Sequence, residues 1–236
     1  ERLCIVGSSG CGKSVLVRHF NRLQRPDKGK VIVYNKDLEK VSDEELDEIR
    51  KKIGYVFQEG ALFNSLNVYD NISFPLRESY GFSEDEIESR ARECIGGVGL
   101  GNEYDELIEK MPRELSGGMR KRVAVARTLA PNPPIIIYDE PTTGLDPRFV
   151  GIISGLMVKL HEEYDNTTIV VTHDLKTMRK VGHRMIMLDN ARIYFDGDYN
   201  EFMNSTDPVI LRYLDKEKGD KTEGITSLFQ THQALS

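Results

Sequence analysis

The sequence predicts an α/β fold, with a mostly parallel sheet covered by helices on both faces. Short apolar runs alternate with amphipathic segments along most of the 236 residues, as in parallel strands joined by helices. Several of those runs are apolar at every position, which is typical of strands buried on both faces. Between about residues 62 and 125 the pattern is nearly all helix and loop, which predicts a helical lobe inserted into the sheet domain.

The overall composition excludes several classes of protein. With 39% hydrophobic residues the chain can bury a core, so disorder is not its main state. The formal charge of -6 is opposite to the basic bias of nucleic-acid binders, and we expect no nucleic-acid partner. No apolar run approaches the ~20 residues of a membrane-spanning helix. The three cysteines form no C-x-x-C pair, so we expect a reducing compartment and no zinc site.

The predicted strands are short apolar runs bounded by turn residues. In chain order they span residues 2–6, 31–34, 53–57, 135–138 and 168–172. Two further runs, at 185–188 and 192–195, flank Asp189-Asn190 and predict a hairpin.

Helices are predicted where apolar residues recur at helical spacing behind a start signal. The first places Leu16, Phe20 and Leu23 on one face and stops before Pro26. The later helix signals, in chain order, are the capping box at Ser42, the pattern at 68–74, the capping box at Ser83, the cap at Ser116, the Asp146-Pro147 pair and the pattern at 175–181. A cluster of glycines between 96 and 101 is expected to end the helix that begins at Ser83.

Residues Gly7 to Ser14 form the motif Gly-x-x-x-x-Gly-Lys-Ser between a predicted strand and a predicted helix. Glycines let the backbone wrap a phosphate, and the N–H groups and helix N-terminus supply partial positive charge. Lys13 would reach the β- and γ-phosphates and Ser14 would bind Mg²⁺. The alternative is a plain glycine-rich turn, which this context disfavours. The predicted phosphate contacts are Gly7, Ser8, Ser9, Gly10, Cys11, Gly12, Lys13, Ser14 and Val15.

Asp139 and Glu140 follow the apolar run at 135–138. A carboxylate at the end of a buried strand can hold the Mg²⁺ shell, which is the role predicted for Asp139. Glu140, one residue further, would accept a proton from an attacking water. Many strands end in an acidic cap without any function, but the presence of a P-loop favours the catalytic interpretation.

The segment Leu115-Ser116-Gly117-Gly118-Met119 places Ser-Gly-Gly at a predicted helix start, a second anion-binding terminus. Together with the P-loop, Gln58, Asp139-Glu140 and His173, in that order, it makes the chain resemble the ABC ATPase family. The resemblance covers residues 1–214 and leaves 215–236 as a polar tail, which we expect to be a solvated linker. Met119 departs from the glutamine usual in the family.

The resemblance implies a P-loop NTPase fold with the helical lobe and an antiparallel β subdomain. We expect the N-terminal part of that subdomain, with its adenine-stacking aromatic, to be missing from this sequence. It also implies ATP and Mg²⁺ as cofactors, ATP hydrolysis with Glu140 and His173 as catalytic residues, and Mg²⁺ near Ser14, Gln58 and Asp139.

The family's assembly is a head-to-tail homodimer. In it, ATP lies between the P-loop of one subunit and Ser116, Gly117 and Gly118 of the other. The loop that ends at Asp146 is similar to the family's loop that crosses to the partner subunit, so Asp146 is a further expected nucleotide-site residue.

A finer resemblance lies in residues 58–66, 71–78 and 115–123, which look like the subgroup that energises phospholipid trafficking with MCE-domain proteins. It implies an integral membrane permease bound through residues 58–78, an MCE-domain partner, and a location on the cytoplasmic face of the inner membrane. Two alternatives stay open: the ATPase of an importer for another small substrate, and a soluble ABC ATPase without a transport role.

Overall fold

The computed structural model describes residues 1–217, and all structural statements below concern that range. Its strands are β1 (Arg2–Val6), β2 (Ile32–Val33), β3 (Lys36–Asp37), β4 (Ile53–Val56), β5 (Ile135–Asp139), β6 (Thr167–Val171), β7 (Arg184–Asp189) and β8 (Arg192–Asp198). Its helices are α1 (Lys13–His19), α2 (Asp43–Lys51), α3 (Val68–Pro75), α4 (Glu84–Gly97), α5 (Tyr104–Leu107), α6 (Gly117–Leu129), α7 (Pro147–Tyr164), α8 (Leu175–Val181), α9 (Tyr199–Met203) and α10 (208–217). A π-helical turn, Leu76–Tyr80, extends α3.

The main sheet has the strand order β4-β5-β6-β1-β7-β8. All neighbours pair in parallel except β8, which returns antiparallel to β7 at the edge. The predicted mostly parallel sheet and the predicted hairpin are therefore confirmed. Helices α3 to α6 form the predicted helical lobe, and β2 and β3 form a small separate antiparallel hairpin.

The register of the sheet aligns the carboxyl ends of four strands. Val56 is level with Tyr138, Asp139 is level with Val171, and Val171 is level with Ile5. The loops that follow β1, β4, β5 and β6 therefore leave the sheet at one edge. In open α/β sheets this edge is where ligands bind.

Apolar side chains of the sheet alternate between two buried clusters, one on each face. Ile5, Ile137 and Val171 belong to the smaller cluster, which packs against α1 and α2. Their neighbours Val6 and Tyr138 belong to the larger cluster, which includes the helical lobe and α7. Burial on both faces explains why the central residues of these strands are apolar.

The predicted helix starts are confirmed. Ser42 and Ser83 each form a reciprocal capping box. Ser116 accepts a hydrogen bond from the Met119 amide, and Asp146 caps α7. These side chains satisfy amides that the first helical turn leaves without partners.

Two predicted boundaries were wrong. Helix α1 ends at His19, and Leu23 lies beyond it with half of its surface exposed. The run at 31–34 forms only the two-residue β2, because Tyr34 and Asn35 adopt left-handed backbone conformations that turn the chain into β3. Helix α10 continues three residues past the predicted boundary at Asp215, whereas the rest of the predicted tail, 218–236, lies outside the described residues.

Among the helices of residues 1–217, none combines the length and the apolar character needed to cross a membrane.

Candidate functional site

The P-loop between β1 and α1 is built on left-handed glycines. Gly7, Gly10 and Gly12 have φ values of 143°, 79° and 101°. A Cβ on Gly7 would also lie 2.4 Å from the Leu188 carbonyl oxygen, so no larger residue fits there. Helix α1 begins at Lys13 with no side-chain cap, which leaves its first N–H groups free to bind an anion.

Lys13 is buried beneath this loop, with 7% of its surface exposed. Its ammonium donates hydrogen bonds to the carbonyl oxygens of Gly7, at 2.8 Å, and Ser8, at 3.2 Å. The same nitrogen lies 3.9 Å from Glu140 Oε1. The loop thus holds a positive charge at the point where its amides converge, as expected for a phosphate site.

Ser14 and Asp139 bring a hydroxyl and a carboxylate together across 125 residues of sequence. Ser14 donates a 2.6 Å hydrogen bond to Asp139 Oδ1, and Asp139 is 3% exposed. Both groups offer the oxygen ligands that Mg²⁺ prefers. Within residues 1–217 no group of three or more His, Cys, Asp or Glu side chains could hold a metal by itself. One carboxylate and one hydroxyl fit Mg²⁺, because Mg²⁺ binds few protein ligands and completes its coordination sphere with water and phosphate oxygens.

Glu140 lies between two strand ends and has a left-handed backbone conformation. Its side chain is 12% exposed. Its Oε2 accepts a 3.0 Å hydrogen bond from the Thr143 hydroxyl and lies 2.8 Å from His173 Nδ1. A hydrogen bond to Glu140 and its negative charge raise the pKa of His173 above the ordinary value.

The His173–Glu140 contact predicts a dependence on pH. Because the folded pKa of His173 is raised, the pair contributes fully just below the pKa of histidine in the unfolded chain, where Glu140 is ionised, and this contribution is lost as pH rises through the folded pKa. In Glu140→Gln, which removes the negative charge, we expect the pKa of His173 to fall towards its ordinary value. An NMR titration of the imidazole measures it. Glu88→Gln, which removes a carboxylate from α4, should leave the His173 titration unchanged, and an unaltered pKa in Glu140→Gln would contradict the assignment.

A cavity of about 480 Å³ opens above these groups. P-loop residues line it together with Gln58, Glu140 and His173, and Lys216 and Glu217 of α10 reach its rim. The structure therefore brings most of the predicted P-loop residues, Gln58, Glu140 and His173 to one cavity. Gly7, Ser8, Cys11 and Asp139 do not line it, and Asp139 joins the site through its hydrogen bond with Ser14. The proximity of α10 was not predicted, because the sequence of its last turn resembles a solvated linker.

Ser116, Gly117, Gly118 and Asp146 do not line this cavity. Ser116 and Gly117 are exposed at the start of α6. Gly118 packs on the first turn of α7, where an added Cβ would lie 3.1 Å from the Phe149 ring. Asp146 uses its carboxylate to cap the amides of Arg148 and Phe149. Within one chain these residues form a second surface, separate from the P-loop cavity.

Sequence reasoning missed several polar contacts. Arg127 on α6 donates to the carbonyl oxygens of Gly60 and Ala61, at 2.9 and 2.8 Å, and so holds the turn after Gln58. Tyr55 donates to Asp139 Oδ2 at 2.8 Å. Thr143 lies three residues beyond Glu140, in a turn. Tyr55 sits in an apolar pattern that predicts only core, and no local signal in the sequence marks the contacts of these three residues.

A phosphate loop and an acidic pair at the carboxyl edge of a parallel sheet define the P-loop class of nucleotide-binding proteins. The family model for ABC transporters matches residues 1–143, which is more than half of the chain. The chain belongs to the ABC transporter family.

Curated relatives include the probable ribonucleotide transport ATP-binding protein mkl of Mycobacterium tuberculosis, 41% identical over 89% of this chain. The methionine import ATP-binding protein MetN of Carboxydothermus hydrogenoformans is 37% identical over 89% of this chain. The chain spans 57% and 61% of the lengths of these two proteins.

Solved structures include a dimer of the ATP-binding cassette MJ0796 bound to ADP and Pi. It is 37% identical, has a TM-score of 0.75, and the match covers 84% of this chain and 85% of that chain. The structure of cbiO1 from Clostridium perfringens, part of the transporter complex cbiONQ, is 29% identical with a TM-score of 0.76 and covers 95% of this chain and 87% of that one.

Proposed function

We propose that this chain binds and hydrolyses ATP and thereby powers a membrane transporter. The observation that carries the proposal is the convergence of Lys13, Ser14 and the Glu140–His173 pair on one cavity, with Asp139 hydrogen-bonded to Ser14. The two similar proteins named above as ATP-binding transport proteins support it.

The chemistry follows from the position of each group. Lys13 and the P-loop amides bind the phosphates, and Ser14 and Asp139 would hold Mg²⁺, which supplies neutralisation of phosphate charge. Glu140 orients a water molecule and accepts its proton on a carboxylate oxygen. Thr143 and His173 both contact Oε2 of Glu140 and so fix the position of its side chain.

A symmetric pair of chains accounts for the residues that lie outside the cavity. The exposed Ser116 and Gly117 amides at the start of α6 form a second anion-binding terminus. We propose that this terminus contacts ATP bound to the P-loop of a second copy. The dimeric arrangement of the similar cassette MJ0796 supports the proposal.

Ser116→Arg tests the dimer. An arginine at the α6 terminus should block close approach of the second copy, so the ATP-dependent dimer of a hydrolysis-deficient Glu140→Gln chain should disappear in light scattering. Ser116 is also an N-cap, and its loss costs about 1 kcal/mol. The matched control is therefore Ser83→Arg, which removes the cap of α4 and should leave the dimer intact. Persistence of the dimer in Ser116→Arg would reject the shared site.

A groove of about 730 Å³ supports a membrane permease as a partner. Phe63 and Phe74 line it, with 44% and 41% of their surfaces exposed and their ring centroids 5.0 Å apart. Both residues belong to the 58–78 region that the sequence indicates as the permease contact. We propose that an amphipathic helix of a permease binds in this groove and holds the chain at the cytoplasmic face of the inner membrane.

The transported substrate has two candidates. The similar proteins are named for ribonucleotide transport and methionine import, so they favour the importer of a small substrate over phospholipid trafficking. Phospholipid trafficking stays the second candidate because of the patterns at 58–66 and 115–123. Affinity purification of the chain from its native membranes, with mass spectrometry, distinguishes them. A permease with an MCE-domain protein supports lipid trafficking, and a permease with a solute-binding protein supports the importer.

A further inference from the structure

Tyr55 brings a hydroxyl from an apolar strand to the buried carboxylate of Asp139. Its ring lies in the smaller apolar cluster, beside Ile53 and Ile137, and only 8% of the residue is exposed. Its hydroxyl donates a 2.8 Å hydrogen bond to Asp139 Oδ2. The two residues are 84 positions apart and meet because β4 pairs with β5.

Two donors act on opposite oxygens of the Asp139 carboxylate. Ser14 donates to Oδ1 at 2.6 Å, and Tyr55 donates to Oδ2. Arg18 also lies 3.8 Å from Oδ2, but this contact is loose and 45% of the Arg18 side chain is exposed. The terminal torsion of an aspartate is broad when nothing restrains it. The pair of short hydrogen bonds fixes which oxygen faces the P-loop.

Tyrosine is ordinarily protonated at neutral pH, so the Tyr55 hydroxyl acts as the donor in this hydrogen bond. The Tyr55 ring also packs on Phe57, with centroids 4.5 Å apart, and Gln58 follows directly. The strand that restrains the carboxylate therefore continues into the loop that reaches the cavity.

We propose that Tyr55 is a positioning residue, which orients the Asp139 carboxylate so that Oδ1 stays beside Ser14 and ready for Mg²⁺ that accompanies ATP. This inference rests on the proposed function. Without the hydroxyl, Oδ2 keeps only the loose contact with Arg18, and the Ser14 hydrogen bond alone restrains the rotation of the Asp139 carboxylate. A tyrosine that contributed only to packing would not affect how strongly ATP affinity depends on Mg²⁺.

Tyr55→Phe removes the hydroxyl and keeps the ring. The matched control is Tyr104→Phe in the helical lobe, since Tyr104 is also buried and also donates to a carboxylate, that of Glu88 at 3.1 Å. For the full chain, binding of a fluorescent ATP analogue is titrated in EDTA and in Mg²⁺. In EDTA the wild type, Tyr55→Phe and Tyr104→Phe should bind the analogue with equal affinity. The gain in affinity from Mg²⁺ should be smaller in Tyr55→Phe by about tenfold or more, as expected for losing one hydrogen bond to a charged group.

Hydrolysis provides a second readout. The Mg²⁺ concentration for half-maximal turnover should rise in Tyr55→Phe, whereas turnover at saturating Mg²⁺ should stay within about twofold. Two results would overturn the positioning role alone. In one, Mg²⁺ increases the ATP affinity of Tyr55→Phe as much as that of wild type. In the other, Tyr55→Phe loses the same amount of affinity in EDTA and in Mg²⁺. A wild-type chain that gains no ATP affinity from Mg²⁺ would overturn the proposed nucleotide site as well.

Discussion

Glu140→Gln is expected to bind ATP as the wild type does and to hydrolyse it about 10²–10⁴-fold more slowly, the usual contribution of a general base. The substitution keeps the shape of the side chain and an oxygen that can accept the Thr143 hydrogen bond. It removes the basic oxygen that would take a proton from water. Steady-state phosphate release and ATP affinity, measured on the same preparation, separate the two effects.

The control for this variant is Glu163→Gln, which changes an exposed carboxylate on α7 that pairs with Lys159. It should leave turnover unchanged. If Glu140→Gln keeps turnover within about tenfold of wild type, then Glu140 is not the base. Another group near the cavity would then have to activate the water.

Lys13→Ala is expected to weaken ATP binding by about 100-fold or more, because several charge-assisted hydrogen bonds to phosphate are lost at once. It also leaves the Gly7 and Ser8 carbonyl oxygens without their donor, so the P-loop loses its internal support. Calorimetric titration with ATP measures the affinity, and thermal unfolding establishes that the chain is still folded.

Lys36→Ala provides the comparison for Lys13→Ala. Lys36 is an exposed lysine that pairs with Glu45 at 2.6 Å on the hairpin side of α2, and its loss should leave ATP affinity unchanged. Surface ion pairs of this type contribute ~0.2–1 kcal/mol at most. Retained ATP affinity in a folded Lys13→Ala chain would contradict a phosphate role for the P-loop.

Most of the candidate site was predictable because its residues are contiguous or immediately follow apolar runs. Gly7 to Ser14 are marked by their own spacing. Asp139 and Glu140 follow the apolar run at 135–138, and His173 follows the strand-like run at 168–172. The capping boxes at Ser42 and Ser83 are equally local. Each of these signals depends on the chemistry of a few neighbouring residues, which the sequence contains in full.

Element lengths and side-chain partners were less predictable. The apolar run at 31–34 has the composition of a strand, yet left-handed Tyr34 and Asn35 restrict it to two residues with an exposed Ile32. The role of Tyr55 was not predictable either, because Tyr55 lies in an apolar run that predicts only a buried strand. The alternation of apolar and polar residues and the strand propensity indicate which side chains are exposed to solvent. They contain no information about which distant segment a strand contacts.

The sequence by itself determined the class of site: a phosphate loop, an acidic pair and a histidine, in a chain of alternating strands and helices. Tertiary structure alone decided which groups act on one another. The parallel register of β4, β5, β6 and β1 aligns four loops at one edge and sets Tyr55 against Asp139, whereas it leaves Ser116 on another surface. The physical reason is that hydrogen bonds and charges act over a few ångströms, and only strand pairing brings residues this distant in sequence within that range.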